Sequence, residues 1–222
     1  MSFPALQVLS LTKSYAGRPI LRDVSFQLTA GERTALIGPS GSGKTTLLNC
    51  ISGVDHGDGG QVLLAGSEVQ LLDAEELARV RREKIGMVFQ FFHLLPTLTV
   101  AENVELPLQL LGLPLSEREA RVRGLLERMG VQHRSQALPS ELSGGEMQRT
   151  AIARAVVHRP SVLLADEPTG NLDSRTGDEV LDLLAEVVRE TNAALLMVTH
   201  SPEAARRCDR VLSMKDGVLV EA

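Results

Sequence analysis

The sequence is poor in cysteine. Cys50 and Cys208 are the only two among 222 residues, too few for a disulfide framework, and they imply a reduced cytosolic chain. It also lacks long apolar runs: Leu106–Leu115 is interrupted by Pro107, Gly112 and Pro114 and falls far short of the roughly 18 residues that a membrane span requires. The opening MSFPALQVLS has no basic segment followed by an apolar one, so no secretory signal is expected. Excess positive charge is missing as well. Lys and Arg total 23 against 28 Asp and Glu, a formal net charge of −5, which disfavours a general binder of nucleic-acid backbone and leaves room only for a local basic patch. There is no internal repeat and no low-complexity tract. What remains is ordinary globular composition, 43% hydrophobic and 23% charged. The length suffices for a substantial core in one or two domains. A membrane role, if there is one, must run through a partner.

The patterning alternates strands and helices. Leu6–Leu11, Ile20–Leu28 and Arg33–Ile37 read as strands punctuated by Gly17, Pro19 and Gly31, and a helix follows from Lys44 to about Ser52. Gln61–Leu64 and Ile85–Phe89 read as strands on either side of a charged helix from about Ala74 to Glu83, with Asp73 and Glu76 placed to cap it. From Thr99 to His158 strand signals fade. Ser116 and Glu119 suggest a capping box for a helix running to about Met129, stopped by Gly130, and a second helix runs from near Gly144 to His158. Then follow a strand at Ser161–Ala165, a helix at Ser174–Thr191, a strand at Ala194–Val198 and a helix at Pro202–Arg207. Short strands Arg210–Met214 and Val218–Glu221 close the chain around an Asp216-Gly217 turn. Buried apolar strands alternating with helices predict an α/β protein with a parallel sheet and a helical insertion.

Three segments carry chemistry. Gly38-Pro39-Ser40-Gly41-Ser42-Gly43-Lys44-Thr45 fits the phosphate-binding pattern G-x4-G-K-[ST] between a predicted strand and a predicted helix. Glycines let backbone N–H groups turn inward around phosphate oxygens, and the helix N-terminus adds a favourable dipole. Lys44 supplies a point charge for the β- and γ-phosphates, and the Thr45 hydroxyl is a hard oxygen ligand for Mg²⁺. Chance gives such a pattern in roughly one chain of this length in a hundred. Val162–Ala165 is an apolar strand ending in Asp166 and Glu167, which places two carboxylates at the carboxyl end of a buried strand, where ligands sit. Asp166 suits the Mg²⁺ role; Glu167 suits orienting and deprotonating an attacking water. Leu142-Ser143-Gly144-Gly145-Glu146 reads two ways. Ser143 and Glu146 make a capping box that needs no ligand. Two glycines in the first turn, each costing roughly 1 kcal/mol relative to Ala, point instead to a phosphate approaching the helix N-terminus closely.

Leu142–Glu146 resembles the signature motif of ATP-binding cassette (ABC) ATPases, and the rest of that family's series appears in order over essentially the whole chain. The resemblance implies a P-loop NTPase (RecA-like) α/β core with an antiparallel β subdomain and an inserted α-helical subdomain. Core and β subdomain would comprise residues 1–90 and 159–222 and the helical subdomain 91–158, all within one nucleotide-binding domain. By the same resemblance Tyr15, the single tyrosine, stacks on adenine. Thr46 extends the phosphate loop, Gln90 is the glutamine that joins Thr45 and Asp166 around Mg²⁺, and Asn171-Leu172-Asp173 is the D-loop. Ser143 to Glu146 and Asp173 bind nucleotide, and His200 is the switch histidine that works with Lys44 and Glu167 in catalysis. His56, His93, His133 and His158 are expected at the surface, and Arg79, Arg81, Arg82 and Lys84 on a solvated helix face.

The implied mechanism is an ATPase with ATP and Mg²⁺ as cofactors, forming a head-to-tail homodimer on ATP binding. Each ATP would lie between Lys44 of one copy and Ser143–Glu146 of the other. The implied setting is the cytoplasmic face of the cell membrane, held there by integral-membrane permease subunits, with no nucleic-acid partner. The runner-up is a soluble ABC ATPase acting on DNA or ribosomes. Against it, the stretch from Lys44 to Asp166 shows no sustained heptad pattern for a chromosome-type coiled coil, and only one cassette is present. An unrelated GTPase or small-molecule kinase would lack an Asn-Lys-x-Asp base reader and leave the signature unused. The segment Val88–Leu108, with Leu142–Arg149 and Gly170–Asp173, is similar to the branch of macrolide exporters and lipoprotein-release ATPases, which implies ATP cycles coupled to mechanical work beyond the membrane. Glu146 stands where many members have Gln, and Met147 where a polar residue is usual. The apolar Phe91–Leu95 reads either as a loop that docks a permease or as subdomain core.

Overall fold

A computed structural model describes residues 4–220. A first sheet pairs β1 (Leu6–Tyr15), β2 (Arg18–Leu28), β4 (Gly59–Leu64) and β5 (Ser67–Glu68) in the order β2-β1-β4-β5, all antiparallel. The β1–β2 hairpin turns on Ala16 and Gly17, both at positive φ, as a two-residue turn between right-twisted strands requires. The second sheet has the order β10-β9-β3-β8-β7-β6, from β3 (Arg33–Ile37), β6 (Ile85–Phe89), β7 (Val162–Asp166), β8 (Ala194–Val198), β9 (Arg210–Lys215) and β10 (Val218–Val220). Every pairing from β9 through β6 is parallel, and only β10 runs antiparallel, closing the hairpin at Asp216-Gly217. The expected last strand ends at Val220; its final residue, Glu221, and Met1–Phe3 of the opening segment lie outside the described residues.

Two apolar cores flank the parallel sheet. On one side Leu47, Leu48 and Ile51 of α1 (Lys44–Ile51) pack against Leu6, Val8 and Leu28 of the antiparallel sheet and Leu36 and Leu196 of the parallel one. α2 (Ala74–Lys84) joins them through Leu77 and Val80, and its Asp73–Glu76 capping box forms as the sequence predicts. The opposite core gathers α3 (Val100–Leu110), α4 (Leu115–Arg128), α5 (Gly144–Val156), α6 (Ser174–Thr191) and α7 (Pro202–Arg206) around Leu163, Leu195 and Met197. α6 buries Gly177, Val180, Leu181, Leu184, Val187 and Val188, a stripe at helical spacing that seats it on the sheet.

Two local expectations are corrected, and one helix was not foreseen. α3 was not legible: it carries Pro107 inside it, yet a Thr99–Glu102 capping box opens it and Val104 and Leu108 bury on either side of the proline. Burial of its apolar face outweighs the one backbone hydrogen bond that Pro107 cannot make. α4 starts at Leu115 with Pro114 as its N-cap, so Ser116 and Glu119 already lie inside the helix and form no capping box. His158 is half-buried, with Nε2 3.0 Å from the Ile85 carbonyl oxygen, and burial pushes its pKa down.

Candidate functional site

Parallel strands β3, β8, β7 and β6 lie side by side, so whatever follows their carboxyl ends converges at one rim of the sheet. After β3 comes Gly38–Gly43, after β8 comes His200, at the end of β7 stand Asp166 and Glu167, and after β6 comes Gln90. Phe89 pairs with Asp166 and Asp166 with Val198 in register, which sets the last three groups level with one another. The result is a cavity of about 620 Å³ lined by Ser40, Gly41, Gly43, Lys44, Thr45 and Thr46 on one side and Gln90, Asp166, Glu167 and His200 on the other, with Tyr15 at its edge. Gly38, Pro39 and Ser42 of the loop do not line the cavity. Gly38 sits at φ +152, where a Cβ would meet the Met214 carbonyl oxygen at 2.1 Å, so only glycine fits. Lys44 Nζ donates to the carbonyls of Gly38 and Pro39, both at 2.8 Å, which curls the ammonium over the loop.

The carboxylates differ in environment. Burial, reinforced by the neighbouring Glu167, raises the Asp166 pKa, with Lys44 opposing. Such a carboxylate gains by meeting a cation. Thr45, Gln90 and Asp166 offer hydroxyl, amide and carboxylate oxygens to the same cavity, a hard-oxygen set suited to Mg²⁺ that completes its coordination with phosphate oxygens. Among the described residues there is no group of three or more His, Cys, Asp or Glu that could hold a metal ion. Glu167 occupies left-handed backbone at φ 49. Its Oε2 lies 2.8 Å from His200 Nδ1, and the His200 imidazole is 72% exposed toward the cavity mouth.

Tyr15 owes its position to a bulge. Leu6 and Val8 bury on even positions of β1, then an irregularity between Val8 and Leu11, with Ser10 at φ 46, shifts burial to Leu11 and Lys13. Lys13 and Tyr15 thereby share a face. Lys13 Nζ donates to Asp55 Oδ1 and to the His56 carbonyl, each at 2.7 Å, and lies 5.1 Å from the Tyr15 ring centroid. The Tyr15 phenol donates to the other oxygen of Asp55. Lys13 first and Tyr15 second hold the Asp55 carboxyl down at about 2. Sequence reasoning missed Asp55 and Lys13; the i, i+2 spacing of Lys13 and Tyr15 on one strand was the available signal. Ile20 also lines the cavity and was missed.

The signature residues are elsewhere. Ser143, Gly144, Gly145 and Glu146 line a separate cavity of about 570 Å³ together with Asp173. The capping box forms in full: Ser143 N–H and hydroxyl each donate to Glu146 Oε2 at 2.8 Å, and the Ser143 hydroxyl accepts from the Glu146 N–H at 3.3 Å. Arg134 Nε donates to Glu146 Oε1 at 2.9 Å, a partner the sequence did not reveal. The Ser143 backbone first, then Arg134, draw the Glu146 carboxyl down to about 2. The two cavities are tied together within the chain, since Asn171 Nδ2 donates to the Gln90 carbonyl at 2.8 Å. Of the apolar loop, Phe91 is 67% exposed and Leu95 also projects, whereas Leu94 packs into the core. Arg154 donates to the carbonyls of Phe92 and His93, at 2.9 and 2.5 Å, holding the loop in place. No helix among the described residues is long and apolar enough to cross a membrane.

Residues 21–170 match the family model described as ABC transporter. The chain is 44% identical over 218 residues to the lipoprotein-releasing system ATP-binding protein LolD of Shewanella oneidensis, covering 96% of this chain and 95% of that one. It is 48% identical over 200 residues to the macrolide export ATP-binding/permease protein MacB of Bradyrhizobium diazoefficiens, covering 90% of this chain and 30% of that protein. Among solved structures it is similar to a dimeric post-hydrolysis state of the ATP-binding cassette MJ0796 bound to ADP and Pi, with a TM-score of 0.88, 38% identity and 97% of each chain covered.

Proposed function

The chain belongs to the ABC transporter family, and from that premise we propose how its residues carry out the work of a transporter's ATP-binding and ATP-hydrolysing subunit. One observation carries the reading: a single rim of the parallel sheet gathers the phosphate loop, two carboxylates, a glutamine and a histidine around one cavity. Lys44 and the loop N–H groups hold the phosphates of ATP, and Tyr15 stacks on the base. Thr45, Gln90 and Asp166 would hold Mg²⁺, which would supply positive charge to offset that of the phosphates. Glu167 accepts a proton from the attacking water, with the His200 backbone N–H fixing the carboxylate and the imidazole donating toward the γ-phosphate. Residues 91–158 act as the helical subdomain on a core of 1–90 and 159–222.

The placement of Ser143–Glu146 in a cavity of its own supports a head-to-tail homodimer in which each ATP bridges Lys44 of one copy and the signature helix of the other. The similar cassette MJ0796 is dimeric in its ADP- and Pi-bound state, which supports dimerisation. Hydrolysis then removes the contact that holds the copies together. The chain attaches to the cytoplasmic face of the membrane through permease subunits, and exposed Phe91 and Leu95 are the docking residues. Similarity to LolD and MacB favours export or extraction over the soluble alternative on DNA or ribosomes. The test is a pair of substitutions. Lys44→Ala loses nucleotide binding, whereas Glu167→Gln keeps it and loses most turnover; retention of turnover by both variants would overturn the assignment.

A further inference from the structure

Gln148 lies on the second turn of α5, the helix whose N-terminus carries the signature residues. It is fully buried, 0% exposed. Its Nε2 donates to the Pro168 carbonyl at 2.7 Å, while its Oε1 has no partner among the described residues. The flipped amide would set two oxygens against each other, so the orientation is dictated by the acceptor. A buried amide with an orphaned oxygen costs stability that a leucine or methionine of similar size would not. What the amide supplies in return is one donor, delivered to the residue after Glu167.

That residue follows a strained turn. Glu167, at φ 49, adopts a left-handed backbone that a non-glycine residue holds only when its surroundings over-determine it. Its N–H donates to the Val198 carbonyl at 2.9 Å and its carbonyl accepts from Gly170 N–H at 3.0 Å. Pro168 has no N–H, so its carbonyl is the remaining backbone group of the pair, and Gln148 takes it. The other two ties are backbone to backbone. Among the described residues, only the Gln148 tie to this backbone comes from a side chain, and it alone comes from α5.

We infer that Gln148 is a positioning residue for the reaction: its amide pins the Glu167–Pro168 turn to α5 and so sets the direction in which the Glu167 carboxylate points. The inference rests on the reading of Glu167 as the base. Because α5 also carries Ser143–Glu146 at its N-terminus, the same amide links that helix to the base of the chain's own site.

Steady-state ATP hydrolysis by the full chain tests this with Gln148→Met, which keeps length and apolar bulk, and Gln148→Glu, which keeps shape and lacks the donor. Folding is monitored by ATP affinity, and the comparison is read on whichever variant retains it. The expected result is a fall in kcat of about tenfold with KM and ATP affinity within about twofold of wild type. In a Glu167→Gln background the Gln148 substitution should leave the residual rate unchanged, because the carboxylate it positions is gone. An unchanged kcat, a loss of ATP affinity in both variants, or the same fractional loss in the Glu167→Gln background overturns the inference. Wild-type turnover by Glu167→Gln alone would instead overturn the reading of Glu167.

Discussion

His200 Nδ1 lies 2.8 Å from Glu167 Oε2, and the backbone N–H of His200 points at the same oxygen from 3.3 Å. One carboxylate oxygen is thus held from the end of β8. His200→Ala should lower turnover by roughly 10²-fold while ATP affinity changes little, because Lys44 and the phosphate loop remain. Phosphate release under single turnover, with a parallel binding titration, checks both halves.

Asp55 is expected to matter for the base and not for the phosphates. Asp55→Ala frees the Tyr15 phenol and leaves the buried Lys13 with only the more distant Asp58 carboxylate, at 3.8 Å. ATP affinity should fall by about tenfold, whereas inorganic tripolyphosphate, which has no base, should bind as it does to wild type. Competition of the two against a fluorescent nucleotide measures the difference.

Acid should release the signature helix cap. Glu146 has its pKa drawn down from 4.5 to about 2 by Ser143 and Arg134. The stabilisation is therefore complete above about 4.5, where the unfolded chain is also ionised, and is lost as pH falls toward 2. Glu146→Gln should flatten that part of the acid unfolding curve, and thermal melting between pH 5 and 2.5 reads it.

Asn103 is fully buried and serves the loop ahead of α3: its Nδ2 donates to the carbonyls of Leu95, Leu98 and Thr99, and its Oδ1 accepts from Leu95 N–H. Asn103→Ala leaves several of these groups unpaired and should destabilise the chain by about 2–3 kcal/mol. Urea unfolding measures the loss.

Contiguous chemistry was readable from the residues themselves, whereas the assembly of Tyr15, Gln90 and His200 into one site was legible only through the family resemblance. Gly38–Thr45, Asp166-Glu167 and Ser143–Glu146 each declare themselves within a few residues, because a phosphate loop, a strand end and a helix cap are local objects. The central strands β7 and β8 were equally plain, since both faces are covered and Val162–Ala165 and Ala194–Val198 are apolar throughout. α3 escaped because Pro107 breaks the helical pattern locally while tertiary burial of Val104 and Leu108 restores it. The group Lys13, Tyr15 and Asp55 escaped because it depends on the bulge at Ser10, which re-phases β1 without any mark in composition. Gln148 and Arg134 escaped for a related reason. Their partners, Pro168 and Glu146, are 20 and 12 residues away in sequence and meet them only in the folded chain.

The central claim is that one ATP is shared between the Lys44 cavity of one copy and the Ser143–Glu146 cavity of another. Sedimentation of Glu167→Gln with saturating ATP-Mg²⁺ tests it most directly, because binding is kept while the step that separates the copies is blocked. The account predicts a dimer that reverts to monomer when ATP is replaced by ADP. A protein that binds ATP and sediments as a monomer at micromolar concentration would contradict it.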